Sequence, residues 1–221
     1  MTIKGLYAIA DPTWNPRDSL CELVCDFLEG GVRIVQLRMK KPQDADPSWE
    51  KGVEQEARAI ASLKKDYDFT FIVNDYVDVA IRVGADGVHV GENDMPVDEV
   101  KKRVPKGVIV GYSSHSLDEA RAAVAKGADY VALGAIFPTP TKGPGHPVQG
   151  IPALAELVKS VDVPVVAIGG IVRTNIDQVI EAGADSVAMI TGLSKAPSVV
   201  EATRWFVEKM SSKQQGLGTR G

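Results

Sequence analysis

Cysteine is nearly missing: Cys21 and Cys25 are the two in 221 residues. They stand four apart in a stretch with helical periodicity, which puts both on one helix face. Neither has the spacing or the neighbours of a zinc site, so they read as free thiols of a cytosolic protein rather than a disulfide framework. A cytoplasmic location is the expectation. Aromatic residues make up only 6%, so the core must be aliphatic, built from Val, Ile, Leu and Ala. No apolar run approaches the ~20 residues of a membrane span, and no membrane partner is expected. The opening "MTIKGLYAIADP" holds too short an apolar run for a signal peptide, with Asp11 and Pro12 following at once. There is no long basic run and the net charge is -4, which argues against nucleic acid as a partner. Phosphate ligands remain open, because they need only local positive charge. No Pro-rich or Ser-rich linker divides the chain.

What is present is a half-hidden repeat. "GADGVHVG" from Gly84, "GADYVALG" from Gly127 and "GADSVAMI" from Gly183 are near copies, and "GGVRIVQL" from Gly30 is a looser one. Each follows a stretch of helical periodicity. Glycine takes the left-handed position that ends a helix, and a run of β-branched residues then starts a strand. Other apolar runs, "GLYAIAD", "FTFIVND", "VIVGYSS" and "VPVVAIGGI", lack strict alternation. That suits parallel strands covered by helices on their outer side. The pattern predicts strands near residues 6–11, 33–38, 69–74, 86–90, 108–112, 130–136, 164–168 and 186–190. Helices are predicted over 18–29, 47–65, 76–83, 96–103, 116–126, 151–160, 174–182 and 198–210, with Ser116, Thr174 and Ser198 as N-caps. Eight strands alternating with eight helices in one 221-residue chain is the count of a single-domain α/β (β/α)8 TIM barrel. A doubly wound sheet would want a glycine fingerprint after its first strand, and "AIADPTWNP" has none. The barrel is assigned to residues 1–210, and the polar, glycine-rich 211–221 to a frayed tail.

In such a barrel the C-terminal strand ends build the active site. Those ends gather Asp11, Gln36, Arg38, Lys40, Asn74, Asp75, Asp94, Ser113, Thr139, Thr141, Lys142, Gly169, Gly170, Ile190, Thr191 and Gly192. Gln36, Arg38 and Lys40 are two apart, so on a strand they face one way. Buried cations need anions: a phosphate or pyrophosphate ligand, or carboxylates nearby. Asp75 and Asp94 follow neighbouring strands and are either Mg²⁺ ligands or helix caps. Gly170 and its neighbours let backbone N–H groups approach an anion, or merely make tight turns. "GYSSHS" offers Ser113 as the free hydroxyl once Ser116 is the cap, while no "GxSxG" elbow points to a serine nucleophile. His89 reads as a hydrogen-bonded core or rim histidine. The loop "PTPTKGPGHP", with four prolines in its ten residues, is stiffened at the mouth.

Several stretches, in order, carry a resemblance: "VQLRMK", "IVNDYVDVA", "GVHVGENDMP", "VGYSSHSLDEA", "ADYVALGAIFPTPTKGPG", "VVAIGGI" and "GADSVAMITGL". From "YAIAD" to about Gly192 the chain resembles the thiamine-phosphate synthase family. The resemblance implies a transferase that joins a pyrimidine methyl diphosphate to a thiazole phosphate. Diphosphate departs first, the thiazole nitrogen then attacks, and a carboxylated thiazole would also lose CO₂. It implies that Gln36, Arg38, Lys40 and Asn74 grip the pyrimidine diphosphate, Asp75 and Asp94 hold Mg²⁺, and Ser113 bonds the pyrimidine substrate. Thr139 and Thr141 would touch the thiazole phosphate, Lys142 the diphosphate, and Gly170, Ile190 and Thr191 the phosphate of the thiazole; Arg38, Lys40, Lys142 and Ser113 are the implied catalytic residues. Ala135 stands where the family often has proline, and Glu92-Asn93 where it often has Gln-Glu; neither removes a ligand. A metal-free thiazole tautomerase and a silent phosphometabolite-binding barrel are the alternatives. Partners are expected to be these small molecules, with a homo-oligomer left open.

Overall fold

The computed structural model describes residues 3–15, 19–139, 141 and 147–214. Eight parallel strands close into one barrel in sequence order. They are β1 (Gly5–Ala10), β2 (Ile34–Leu37), β3 (Thr70–Asn74), β4 (Gly87–Val90), β5 (Ile109–Ser114), β6 (Tyr130–Gly134), β7 (Val165–Ile168) and β8 (Ser186–Met189). Closure is made by β8 returning to β1, with Gly5 beside Ser186 and Ala8 beside Met189. The surrounding helices are α1 (Leu20–Glu29), α2 (Trp49–Ser62), α3 (Val77–Val83), α4 (Val97–Arg103), α5 (Leu117–Ala125), α6 (Gly150–Ser160), α7 (Ile176–Glu181), α8 (Thr191–Ser194) and α9 (Val199–Gln214). None of the described helices is long and apolar enough to cross a membrane.

Strand parity divides the core in two. Leu6, Ala8, Val35, Leu37, Phe71, Val73, Val131 and Leu133 face outward and pack under the helices. Tyr7, Ile9, Ile34, Ile72, Ile109, Tyr130, Ala132, Val166 and Ala188 fill the barrel interior. Both faces of every strand are covered, which is why the sequence shows apolar runs without alternation.

The "GAD" repeat has a structural cause at the bottom of the barrel. Gly84, Gly127 and Gly183 hold φ of 66°, 96° and 90°, the left-handed region that ends a helix. The aspartate that follows turns back onto the neighbouring strand. Asp86 accepts from the Phe71 N–H at 2.6 Å, Asp129 from Val110 at 2.6 Å and Asp185 from Val165 at 2.9 Å. Each repeat thus ends a helix and satisfies a donor in the first two residues of a strand.

Three expectations change. Strand β2 stops at Leu37, after which Arg38 N–H makes a last ladder bond to Ala10 O, so Arg38 and Lys40 lie beyond the strand. Ser116 and Ser198 accept from Glu119 and Glu201 N–H as caps, but Thr174 does not cap α7. Asn175 occupies that position, and its amide is spent on the loop, accepting from Val172 N–H and donating to Gly170 O. The last helix also continues past Met210 to Gln214, because Met210 is buried and Ser211 and Ser212 return their hydroxyls to Val207 and Lys209 carbonyls. Residues 215–221 of the expected tail lie outside the described residues.

Candidate active site

A cavity of about 860 Å³ opens at the C-terminal ends of the strands. Its wall includes Gln36, Arg38, Lys40, Asn74, Asp75, Asp94, Ser113, Thr139, Thr141, Gly170, Ile190 and Thr191. Residues separated by up to 155 positions in sequence therefore share one mouth (191 less 36). Lys142, expected at the same rim, lies outside the described residues.

On the β1–β4 side Arg38 and Lys40 are both met by carboxylates. Asp11 is 1% exposed and pairs with Arg38, while its other oxygen accepts from Thr13 N–H at 2.9 Å. Lys40 Nζ lies 2.6 Å from Asp75 and 4.0 Å from Asp94. Carboxylates thus meet both cations within the chain, one of the two outcomes the sequence leaves open. Asp75 and Asp94 are not helix caps: Tyr76 and Pro96 hold those positions, without side-chain bonds. Asp75 takes φ 65°, a left-handed turn directly after β3 that swings its carboxylate toward Lys40. Asp94 Oδ2 accepts from Gly91 N–H at 2.8 Å, which closes its loop. Burial pushes the Asp75 carboxyl up to about 6, against the pull of Lys40 and with a smaller push from Asp94.

Below these charges the wall turns neutral. Asn74 is buried, and its Nδ2 has no partner among the described residues. Such an orphaned donor is costly unless a ligand or water meets it. Ser113 faces the cavity while Ser114, the next residue, is buried and bonded to Ala132 O at 2.9 Å. His89 Nδ1 is 2.9 Å from Tyr130 Oη, and burial above all holds its ring down to about 3, so it is neutral at physiological pH. It is the hydrogen-bonded histidine the sequence suggests. His115 Nδ1 lies 3.2 Å from Gly134 O.

On the β7–β8 side, Gly169 and Gly170 hold φ of 98° and 67°. A Cβ on Gly170 would press within 2.7 Å of the Phe137 backbone oxygen, so these glycines let the β6 loop pack against the β7 loop. The tight-turn role is therefore real, and it also bares the backbone beside Ile190, Thr191 and Gly192. Thr139 and Thr141 hydroxyls stand 3.2 Å apart above this edge. Sequence reasoning missed Lys195, which lines the cavity with its ammonium 4.6 Å from the Trp14 ring centroid. No sequence signal joins Trp14 to Lys195; only barrel closure brings them together.

Fold and mouth define a (β/α)8-barrel enzyme with a polar, charge-rich site at the strand C-termini. Residues 6–193 match the family described as "Thiamine monophosphate synthase". The thiamine-phosphate synthase of Shouchella clausii is 40% identical over 210 residues, covering 95% of this chain and 98% of its own. That of Caldivirga maquilingensis is 41% identical over 205 residues, covering 93% and 96%. A solved structure of thiamine phosphate pyrophosphorylase from Pyrococcus furiosus aligns at TM-score 0.81 and 35% identity, over 95% of this chain and 96% of that one. The chain belongs to the thiamine monophosphate synthase family.

Proposed function

We propose that this chain catalyses the thiamine-phosphate synthase reaction. A pyrimidine methyl diphosphate and a thiazole phosphate give thiamine phosphate and diphosphate, with CO₂ from a carboxylated thiazole. The methylene C–O bond breaks and its electron pair leaves with diphosphate. The thiazole nitrogen then supplies the pair for the new C–N bond. The observation that carries this reading is the convergence of Arg38, Lys40, Asp75 and Asp94 on one rim, opposite the β7–β8 glycines.

Gln36, Arg38, Lys40 and Asn74 are assigned to the pyrimidine diphosphate. Arg38 and Lys40 are preplaced cations where negative charge grows on the leaving oxygens, and such terms are often the largest in catalysis. Lys142 is assigned to the same leaving group. Ser113 is assigned to the pyrimidine substrate. Thr139, Thr141, Gly170, Ile190 and Thr191 are assigned to the phosphate of the thiazole. The aminopyrimidine can carry the transient cation itself, so no protein nucleophile is required, and the mouth has only to exclude water.

Mg²⁺ fits the same rim. Asp75 and Asp94 form a pair of hard oxygen donors that already share one cation, Lys40. These two carboxylates would hold the ion, and it would add charge neutralisation at the diphosphate. One assay tests the proposal: both precursors are mixed with the protein and Mg²⁺, and thiamine phosphate is measured. Product that disappears in EDTA supports it. No product from the two precursors overturns it; thiazole isomerisation indifferent to EDTA would favour the tautomerase reading.

A further inference from the structure

The barrel interior holds three buried polar side chains, Tyr7, Tyr130 and His89, to which the synthase reaction gives no task, and they form a hydrogen-bonded chain that ends on Gln36. Gln36 Nε2 donates to Tyr7 Oη at 2.8 Å. Tyr7 Oη lies 2.9 Å from Tyr130 Oη, and Tyr130 Oη lies 2.9 Å from His89 Nδ1. All four residues are buried, on β2, β1, β6 and β4. Tyr130 reaches from β6 across β5 to β4 only because position 111 is glycine; a Cβ there would overlap the Tyr130 ring.

The chain has a direction. With Gln36 donating, the arrangement that uses every proton has Tyr7 donating to Tyr130 and Tyr130 to His89 Nδ1. Each hydroxyl then donates once and accepts once. Turning the Gln36 amide over alone would set two oxygens face to face with no proton between them. Reversal needs all three links, and the tautomer of His89, to change together.

We propose that Tyr7, Tyr130 and His89 are positioning residues that fix the orientation of the Gln36 amide, and that this fixed amide selects an aminopyrimidine ring. The inference rests on the synthase reading and deepens it. Gln36 is 3% exposed while the Lys40 side chain is 49% exposed, so the amide meets the ring at the floor and the ammonium meets the diphosphate at the rim. The amide's remaining N–H and its Oε1 lie side by side. They match an edge that sets a ring nitrogen beside an exocyclic amino group, as glutamine reads adenine. An inverted amide would still touch the ring but with both polarities wrong.

The test measures dissociation constants of the aminopyrimidine methyl monophosphate and of its analogue lacking the 4-amino group. Wild type, Tyr7→Phe and Tyr130→Phe are compared by calorimetry, with KM for the thiazole phosphate as control. Wild type should prefer the amino compound about tenfold or more, each variant less than about threefold, and the thiazole phosphate KM should stay within about twofold. Each variant removes one hydroxyl from the same chain, so either alone carries the test if the other does not fold. Preference retained in a folded variant, or a parallel rise in the thiazole phosphate KM, overturns the positioning role. A wild type that turns over while its variants keep the preference sinks this inference alone; a wild type that makes no thiamine phosphate sinks it together with the synthase reading.

Discussion

Asp75 and Asp94 share one ammonium group but not one environment. Asp75 sits in a left-handed turn and titrates near 6, above its ordinary value of 3.8, chiefly because it is buried. A carboxyl raised in the fold binds its proton more tightly there than in the unfolded chain. It therefore favours the fold most below about pH 4, and that contribution fades as pH climbs toward 6. Mg²⁺ uptake needs the ionised form. Adding Mg²⁺ should thus raise the melting temperature more at pH 7.5 than at pH 5, and scanning calorimetry at the two pH values decides it. Asp94→Ala should cut turnover by ~10²-fold, the scale of one lost electrostatic group. Thiazole phosphate binding should be largely intact, as titration calorimetry would record; parallel loss of both would contradict the assignment of two separate anion sites.

At the scale of elements, the αβ turn is the repeating device. Its aspartate sits at the end of the barrel away from the cavity, so it serves stability rather than chemistry. Asp129→Ala would leave the Val110 N–H unpaired at the start of β5 and lose the Lys101 pairing at 2.9 Å. A loss of about 1–3 kcal/mol is expected in denaturant unfolding, with turnover at saturating substrates unchanged. These turns are also why so much of the fold was legible in the sequence. A glycine that ends a helix, followed by β-branched residues, is a local signal, and it marked β4, β6 and β8 to within a residue or two at their starts. The cap at Thr174 misled because the neighbouring Asn175 found better partners in its own loop. The partner of Arg38 was less visible. Asp11 and Arg38 are 27 residues apart, and only the parallel pairing of β1 with β2 sets them together. The Gln36–Tyr7–Tyr130–His89 chain left no trace in composition or period, since it joins four strands through the barrel interior.

At the scale of the whole molecule, closure places the two halves of the mouth on opposite sides of one core. Strands β3 and β4 face β7 and β8 across the barrel. A ligand bound by either half stabilises the entire fold by mass action. Thermal melts should consequently separate the halves: the thiazole phosphate should raise the melting temperature with or without EDTA, whereas the pyrimidine diphosphate should do so strongly only with Mg²⁺. Equal EDTA sensitivity for both ligands would show that the sites are not divided as assigned.

The crossing of Tyr130 over Gly111 also bears on how relatives of this chain can diverge. A side chain at 111 would occupy the volume of the Tyr130 ring, so 111 cannot drift alone. A lineage that put even a methyl group at 111 would have to surrender the aromatic ring at 130 in the same step, and a lineage that lost the ring would release 111 from its constraint. Change at 111 should therefore appear only together with loss of the ring at 130, whereas 130 can change first.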